Sequence, residues 1–253
     1  MLAGACARNT SPQHFSMTRI ALATANPHKL DELRAIFAAS APRLAAALCS
    51  LDQLPGAPFP EPAEVGTTFL SNATIKAAAY AQATGLPCLA DDSGLEVDAL
   101  DGAPGVISSH FSTHGLETGL TRQQRDDANN VALLASLANI PWDHRTARFR
   151  CTMVLALQQT IPTLTSTGTL EGRIGLHPAH HQAHAHPHLL VPRGAHGFGY
   201  DPLLLLPPHF TASAAELTPE AKNARSHRGH AARAIAARLI ELFPDLGSAR
   251  PRP

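Results

Sequence analysis

The run Leu89-Ala90-Asp91-Asp92-Ser93-Gly94-Leu95 sets two adjacent carboxylates and a hydroxyl directly after a short apolar stretch. Cys88 to Ala90 reads as the end of a buried strand, and Ser93-Gly94 reads as the break that follows it. Such a strand end constrains the chain toward α/β folds, in which small-ligand sites are built where strands stop. Neighbouring carboxylates on rigid backbone suit a hard divalent cation, Mg2+ above all, or a positioned general base. An Asp-Asp turn solvated at the surface is the other reading of these residues.

The rest of the chain alternates strand and helix signals. Arg19 to Ala23 is short and apolar and ends in Thr24-Ala25-Asn26-Pro27, after which Leu30, Leu33, Ile36 and Phe37 recur at helical spacing. Asn26 suits an N-cap and Pro27 the first helical position. The segment 41–64 is crowded by Pro55, Pro58, Pro60 and Pro62 and reads as loop. Thr68 opens an Ala-rich helix that runs to about Thr84, with Gly85 as its stop. A helix is predicted over 126–138, a hairpin from strands over 147–157 and 161–170, and a buried strand over 203–206. Thr218-Pro219-Glu220 starts a short helix, and an amphipathic helix covers about 228–243. The interleaving predicts an α/β fold.

Composition narrows the function classes. The 20 Lys and Arg balance the 20 Asp and Glu, so no global field favours nucleic acid or an anionic membrane. No apolar run approaches the ~20 residues of a membrane span. Cys6, Cys49, Cys88 and Cys151 show no C-x-x-C spacing, which fits free thiols in a reducing cytoplasm. Residues 1–16 hold one Arg and no hydrophobic block; they read as a disordered tail, with Met17 as an alternative start.

Four islands carry candidate chemistry. At Thr24 to Lys29, a lysine in the first turn of a helix conflicts with the macrodipole, and an anion docked on the free N–H groups would remove the conflict. A solvated lysine is the plain alternative. In the second island Asn72 and Lys76 share one helix face and suit a polyphosphate, with Glu64 close enough in sequence to join a metal site; a lysine snorkelling at the helix edge is the alternative. The third, Gly197-Phe198-Gly199-Tyr200-Asp201-Pro202, pairs glycines with aromatic rings suited to a flat ligand, or forms only a turn before a strand. The fourth, Lys222 with Ser226-His227-Arg228-Gly229, offers donors for a base or a phosphate, as many basic helix starts would.

Taken in order, these islands resemble the noncanonical purine nucleoside triphosphate pyrophosphatases, the inosine triphosphatase or Ham1-like family. The resemblance rests on Ala23 to Asn26 with Lys29 and Glu32, Phe69 to Ala77, Gly85 to Pro87, Ala90 to Asp98, Gly102 to Val106, Gly197 to Pro202, Ala215 to Leu217 and Ser226 to Gly229. It implies a two-lobed single α/β domain over residues 17–246, with a central mixed, twisted sheet flanked by helices and a nucleotide cleft between the lobes. It implies a cytoplasmic homodimer that hydrolyses ITP, dITP and XTP at the α–β phosphoanhydride, with Mg2+ as cofactor and neither nucleic acid nor membrane as partner. Carried over by position, Asp92 is the catalytic base and a metal contact, and Glu64 the second metal carboxylate. Thr24, Ala25, Asn26, Pro27, His28, Lys29 and Lys76 hold the triphosphate. Ser93, Phe198, Gly199, Tyr200, Asp201, Lys222, His227 and Arg228 surround sugar and base. Discrimination against adenine requires donors facing a 6-oxo group; backbone N–H groups near Phe198 and the His227-Arg228 pair are the candidates.

The chain departs from the family pattern in three places. Ala25 stands where the family has Gly, and would strain the loop by roughly 1 kcal/mol if a positive φ were required there. A block around 176–191 carries His177, His180, His181, His184, His186 and His188 and reads as a surface insertion, with a transition-metal site as the alternative. The tail 247–253 reads as disordered. Two rival functions remain at this stage: a pyrophosphatase of different base preference, and a non-catalytic nucleotide- or metal-binding protein that uses the His-rich block.

Overall fold

A computed structural model describes residues 19–157, 160–180 and 187–246. The expected tails at 1–16 and 247–253, Met17, and His181, His184 and His186 lie outside the described residues. Strand β1 (Ile20–Leu22) leads into helix α1 (Pro27–Ser40), followed by α2 (Pro42–Ala47) and β2 (Leu48–Ser50). Helix α3 (Phe69–Thr84) precedes β3 (Cys88–Val97), a 3-10 segment (Gly105–Thr113) and α4 (Arg122–Ser136). The long hairpin β4 (Thr146–Leu157) and β5 (Thr160–Ile174), the short β6 (Leu204–Leu205), α5 (Pro219–Arg225) and α6 (His227–Leu242) complete the order.

Among the described residues the strands form one sheet in the order β2-β1-β3-β4-β5-β6. β1 is parallel to β2 and β3; the remaining neighbours are antiparallel. The period-two alternation of strand side chains divides the core. Ile20, Leu22, Leu89, Met153 and Leu155 pack against α1, α2 and α6. Ala21, Cys88, Ala90, Val154 and Ala156 pack beneath α3, whose small Ala73, Ala77 and Ala81 let the helix lie close to the sheet. The far ends of β3, β4 and β5 contribute Leu95, Val97, Phe149, Leu170 and Ile174 to a third cluster with α4 and β6. The long strands therefore run from one lobe into the other, which agrees with the expected two-lobed α/β architecture.

Local signals place most boundaries. Asn26 caps α1, with its side chain accepting from the His28 and Lys29 N–H groups, and Pro27 begins the helix. Thr68 caps α3, and Gly85 ends it at φ 69°. Thr218 caps α5, and Ser226 caps α6.

Two expectations are corrected. The 41–64 segment is not loop throughout: it contains α2 and the edge strand β2, elements of six and three residues too short to show a period. Nor does Ser93-Gly94 break the strand, since β3 continues to Val97 in register with β4. Gly94 is there for close approach, because a Cβ would stand 2.4 Å from Ser108 Oγ and 2.5 Å from the Gly105 carbonyl. At its two ends the 176–191 block belongs to the core: Leu176 bridges to Leu190, and Leu176, Leu189 and Val191 are buried.

Candidate active site

The continuation of β3 decides the geometry of the two carboxylates. Successive side chains leave opposite faces of a strand, so Asp91 points toward α1 and α6 and Asp92 toward α3. Asp91 Oδ2 takes Lys29 Nζ at 3.1 Å and Arg228 Nη2 at 3.4 Å. Burial would raise its pKa, but Lys29 and Arg228 hold its carboxyl well below the usual range. The macrodipole conflict at Lys29 is therefore relieved within the chain by Asp91, and does not by itself require a bound anion.

On the other face, Lys76 Nζ lies 3.1 Å from Asp92 Oδ1 and 2.9 Å from Glu64 Oε2. Burial opposes the Lys76 charge, yet Asp92, Asp91 and Glu64 together raise its pKa above the ordinary ammonium value. Burial lifts the Asp92 carboxyl above its ordinary value despite Lys76 and Lys29. Asp92 Oδ2 is buried and has no hydrogen-bond partner. A bare carboxylate oxygen next to a second carboxylate fits a hard divalent ion that completes its shell with water and phosphate oxygens. Asn72 lines the cleft with Lys76, and its Oδ1 accepts from Gly66 N at 2.8 Å, which anchors the Glu64 segment.

The loop before β6 forms the opposite end. Gly197 adopts φ 79° and Gly199 φ 61°. A Cβ on Gly197 would stand 2.1 Å from Asp201 Oδ2, so only glycine lets that carboxylate fold back under the loop. Asp201 Oδ2 accepts from Phe198 N at 2.8 Å and from Lys222 Nζ at 2.6 Å. The Phe198 ring stacks on His28 at 5.5 Å between centroids and lies 4.9 Å from Lys222 Nζ. Tyr200 is buried at the cleft wall, and its hydroxyl donates to the Ser108 carbonyl at 2.8 Å.

Beneath this loop Glu32 accepts from Lys222 Nζ at 2.9 Å and from Arg228. Arg228 Nη2 donates to Ser93 Oγ at 2.9 Å. His227 is buried at the cleft wall, stacks on Phe149 at 5.0 Å, and has an unpartnered Nδ1. Burial, with Arg228 and Lys222 nearby, pushes its pKa well below the ordinary imidazole value, so it stays neutral.

One cleft of about 680 Å³ joins these groups. Thr24, Ala25, Asn26, Lys29, Glu64, Lys76, Asp92 and Ser93 border one part, and Phe198 to Asp201, Lys222, His227 and Arg228 border the other. Pro27 and His28 stand off its wall, Pro27 in the first turn of α1 and His28 against the Phe198 ring. Thr24 Oγ1 accepts from Asn26 N at 3.2 Å. Ala25 is not among the described non-glycine residues of positive φ, which are Asp101, His114 and Phe210, so the strain anticipated for it does not arise.

Sequence reasoning left several groups of this site unassigned. Asp91 was visible only as half of a pair, and its separate role depends on the strand continuing. Glu32 lies three residues after Lys29 on α1, a spacing that sets both on one helix face. Ser108, Arg122, Arg125, Asp126 and Phe149 also line the cleft, and no local motif marks them.

A mixed α/β sheet carries a cleft with Lys76, Asp92 and Glu64 at one end and the Phe198 ring with Lys222 and Arg228 at the other, an arrangement suited to a polyphosphate joined to a flat base. Comparison with known proteins agrees. The model of the Ham1 family matches residues 20–238, and the chain belongs to that family. It is 45% identical over 215 residues to a dITP/XTP pyrophosphatase of Geobacter sulfurreducens, covering 85% of this chain and 93% of that one. It is 43% identical over 227 residues to a dITP/XTP pyrophosphatase of Streptomyces coelicolor, covering 90% and 100%. Among solved structures, a HAM1 protein from Coxiella burnetii superposes with a TM-score of 0.71 at 35% identity, covering 89% of this chain and 100% of that one.

Proposed function

We propose that this protein hydrolyses the noncanonical purine nucleotides ITP, dITP and XTP at the α–β phosphoanhydride, releasing a nucleoside monophosphate and pyrophosphate. The observation that carries this reading is the continuity of one cleft from the Lys76–Asp92–Glu64 cluster to Phe198 and His227, in a chain 45% identical to a dITP/XTP pyrophosphatase.

Phosphoryl transfer is mostly positioning and charge stabilisation. In this reading Lys29, Lys76 and the Thr24–Asn26 segment hold the triphosphate. Asp92 aligns the attacking water and accepts its proton, a task favoured by the raised pKa that burial gives it. Glu64 and Asp92 would hold Mg2+, which when bound neutralises phosphate charge and acidifies a coordinated water.

At the purine end Phe198 offers a ring face. The N–H groups of Phe198 and Gly199 are already committed to Asp201 and Asp126, which leaves the His227–Arg228 pair, with His227 Nδ1 and Arg228 Nε both unpartnered, to face the 6-oxo group. Adenine would set an amino donor against it, leaving both groups unpaired in a buried site. Among the described residues no helix is long and apolar enough to cross a membrane. The free, buried thiols of Cys49, Cys88 and Cys151 support a cytoplasmic location. The reading includes a homodimer, which light scattering tests. Hydrolysis of ITP in 18O-labelled water tests the cleavage site: IMP and pyrophosphate, with label in IMP for attack at the α-phosphorus or in pyrophosphate for attack at the β-phosphorus, support cleavage of the α–β anhydride, and IDP with labelled phosphate contradicts it.

A further inference from the structure

One helix, α4, borders the cleft through Arg122, Arg125 and Asp126. On α4, Asp126, Asn129 and Asn130 fall at i, i+3 and i+4 and so leave a common face. All three bind backbone in loops that wall the cleft. Asp126 Oδ2 accepts from Gly199 N at 3.0 Å, and Asn130 Nδ2 donates to the Gly199 carbonyl at 3.2 Å. Asn129 Nδ2 donates to the carbonyls of Ser108 and Ser109, and its Oδ1 accepts from Ser112 N at 2.8 Å.

Gly199 is in the left-handed region at φ 61°, immediately after the half-buried ring of Phe198. A glycine there is free to rotate unless its peptide groups are held. Asp126 fixes the peptide that leaves Phe198, and Asn130 fixes the peptide that enters Tyr200. The Phe198 N–H is held separately by Asp201. The backbone on both sides of the ring is thus tied, and two of the three ties come from side chains one helical turn apart. Asp126 accepts partial burial for this, and burial raises its carboxyl above the ordinary value despite the Gly199 N–H, Arg122 and Arg125.

We infer that Asp126 and Asn130 are positioning residues for purine selection, holding Gly199 so that the Phe198 ring and the His227 imidazole present a fixed slot to the base. The inference rests on the proposed pyrophosphatase reading. It explains why two polar side chains of one helix converge on a single loop residue, which anchoring of the loop as a whole would not require.

The test compares wild type with Asp126→Ala, Asn130→Ala and Asp126→Asn, which keeps an acceptor oxygen. Steady-state hydrolysis of ITP and of ATP is measured, together with inhibition by inorganic tripolyphosphate and thermal unfolding. Loss of one such bond corresponds to about ten-fold. The alanine variants are expected to raise the KM for ITP and to narrow the ITP-over-ATP preference by about that factor, with tripolyphosphate inhibition within about two-fold of wild type. Asp126→Asn recovers most of the preference. If an alanine variant fails to fold, Asn130→Ser is read by the same ratio. An unchanged KM and ratio in folded variants overturns the inference, as does an equal loss toward ITP, ATP and tripolyphosphate, which marks a merely structural role. Wild type without selective ITP turnover overturns the pyrophosphatase reading itself, and the inference with it.

Discussion

Lys76 holds Asp92 by one carboxylate oxygen and leaves the other bare: Nζ is 3.1 Å from Oδ1, while Oδ2 is buried with no partner. The lysine opposes the burial that raises this carboxyl's pKa, without occupying the oxygen that chemistry needs. Asp92→Asn preserves the shape and an acceptor for Lys76 but removes the base. Turnover of ITP is expected to fall by about 10³-fold, within the range of a lost general base, with the thermal midpoint retained. A variant that keeps more than a tenth of wild-type turnover would place the base elsewhere.

Glu32 joins Lys222 and Arg228, two cations buried under the purine end. Burial would raise its pKa, but Arg228 and Lys222 lower it below the ordinary carboxylate value. A depressed pKa contributes stability that is present above the unfolded value, near 4.3, and is lost as pH falls through the folded value. Glu32→Gln is therefore expected to destabilise the protein at pH 7 by about 3 kcal/mol, the scale of breaking a buried pair. The gap between variant and wild type should close as pH falls below about 4. Urea titrations at several pH values check this, and a gap independent of pH contradicts it.

The boundaries legible in the sequence are those set by neighbours a few residues apart. Asn26-Pro27 marked the start of α1, Thr68 and Gly85 bracketed α3, and the apolar runs on either side of residue 158 marked the hairpin. What was hidden depends on pairing. Ser93-Gly94 looks like a turn, and only the register with Cys151 and Arg150 shows that β3 passes through it and sends Asp91 and Asp92 to opposite faces. The Glu32–Lys222 contact joins residues 190 positions apart. The α4 contacts to Gly199 likewise carry no local signature.

His227 makes a second pH prediction of the same sign for a different reason. Its imidazole stays neutral in the fold because burial, Arg228 and Lys222 disfavour the charge. The unfolded chain takes up a proton near pH 6.5 that the folded chain refuses, so stability falls as pH drops below that value. Between pH 7 and 5.5 this group alone is expected to remove about 1 kcal/mol. The loss should be absent in His227→Gln, compared by urea unfolding at the two pH values; an equal loss in both proteins contradicts a buried neutral imidazole.

Ala25 needs no positive φ, so restoring glycine at this position gains nothing. Ala25→Gly is expected to leave the KM for ITP unchanged and to lower stability by up to about 1 kcal/mol through the added freedom of the unfolded chain. A substantially tighter KM would show that the loop is strained by Ala25.

The most direct measurement is hydrolysis of ITP against ATP with Mg2+, products resolved by chromatography. The account predicts IMP and pyrophosphate from ITP, with kcat/KM at least about 100-fold above that for ATP, the scale of one buried donor left unpaired. IDP and phosphate as products, or equal turnover of the two nucleotides, would contradict it.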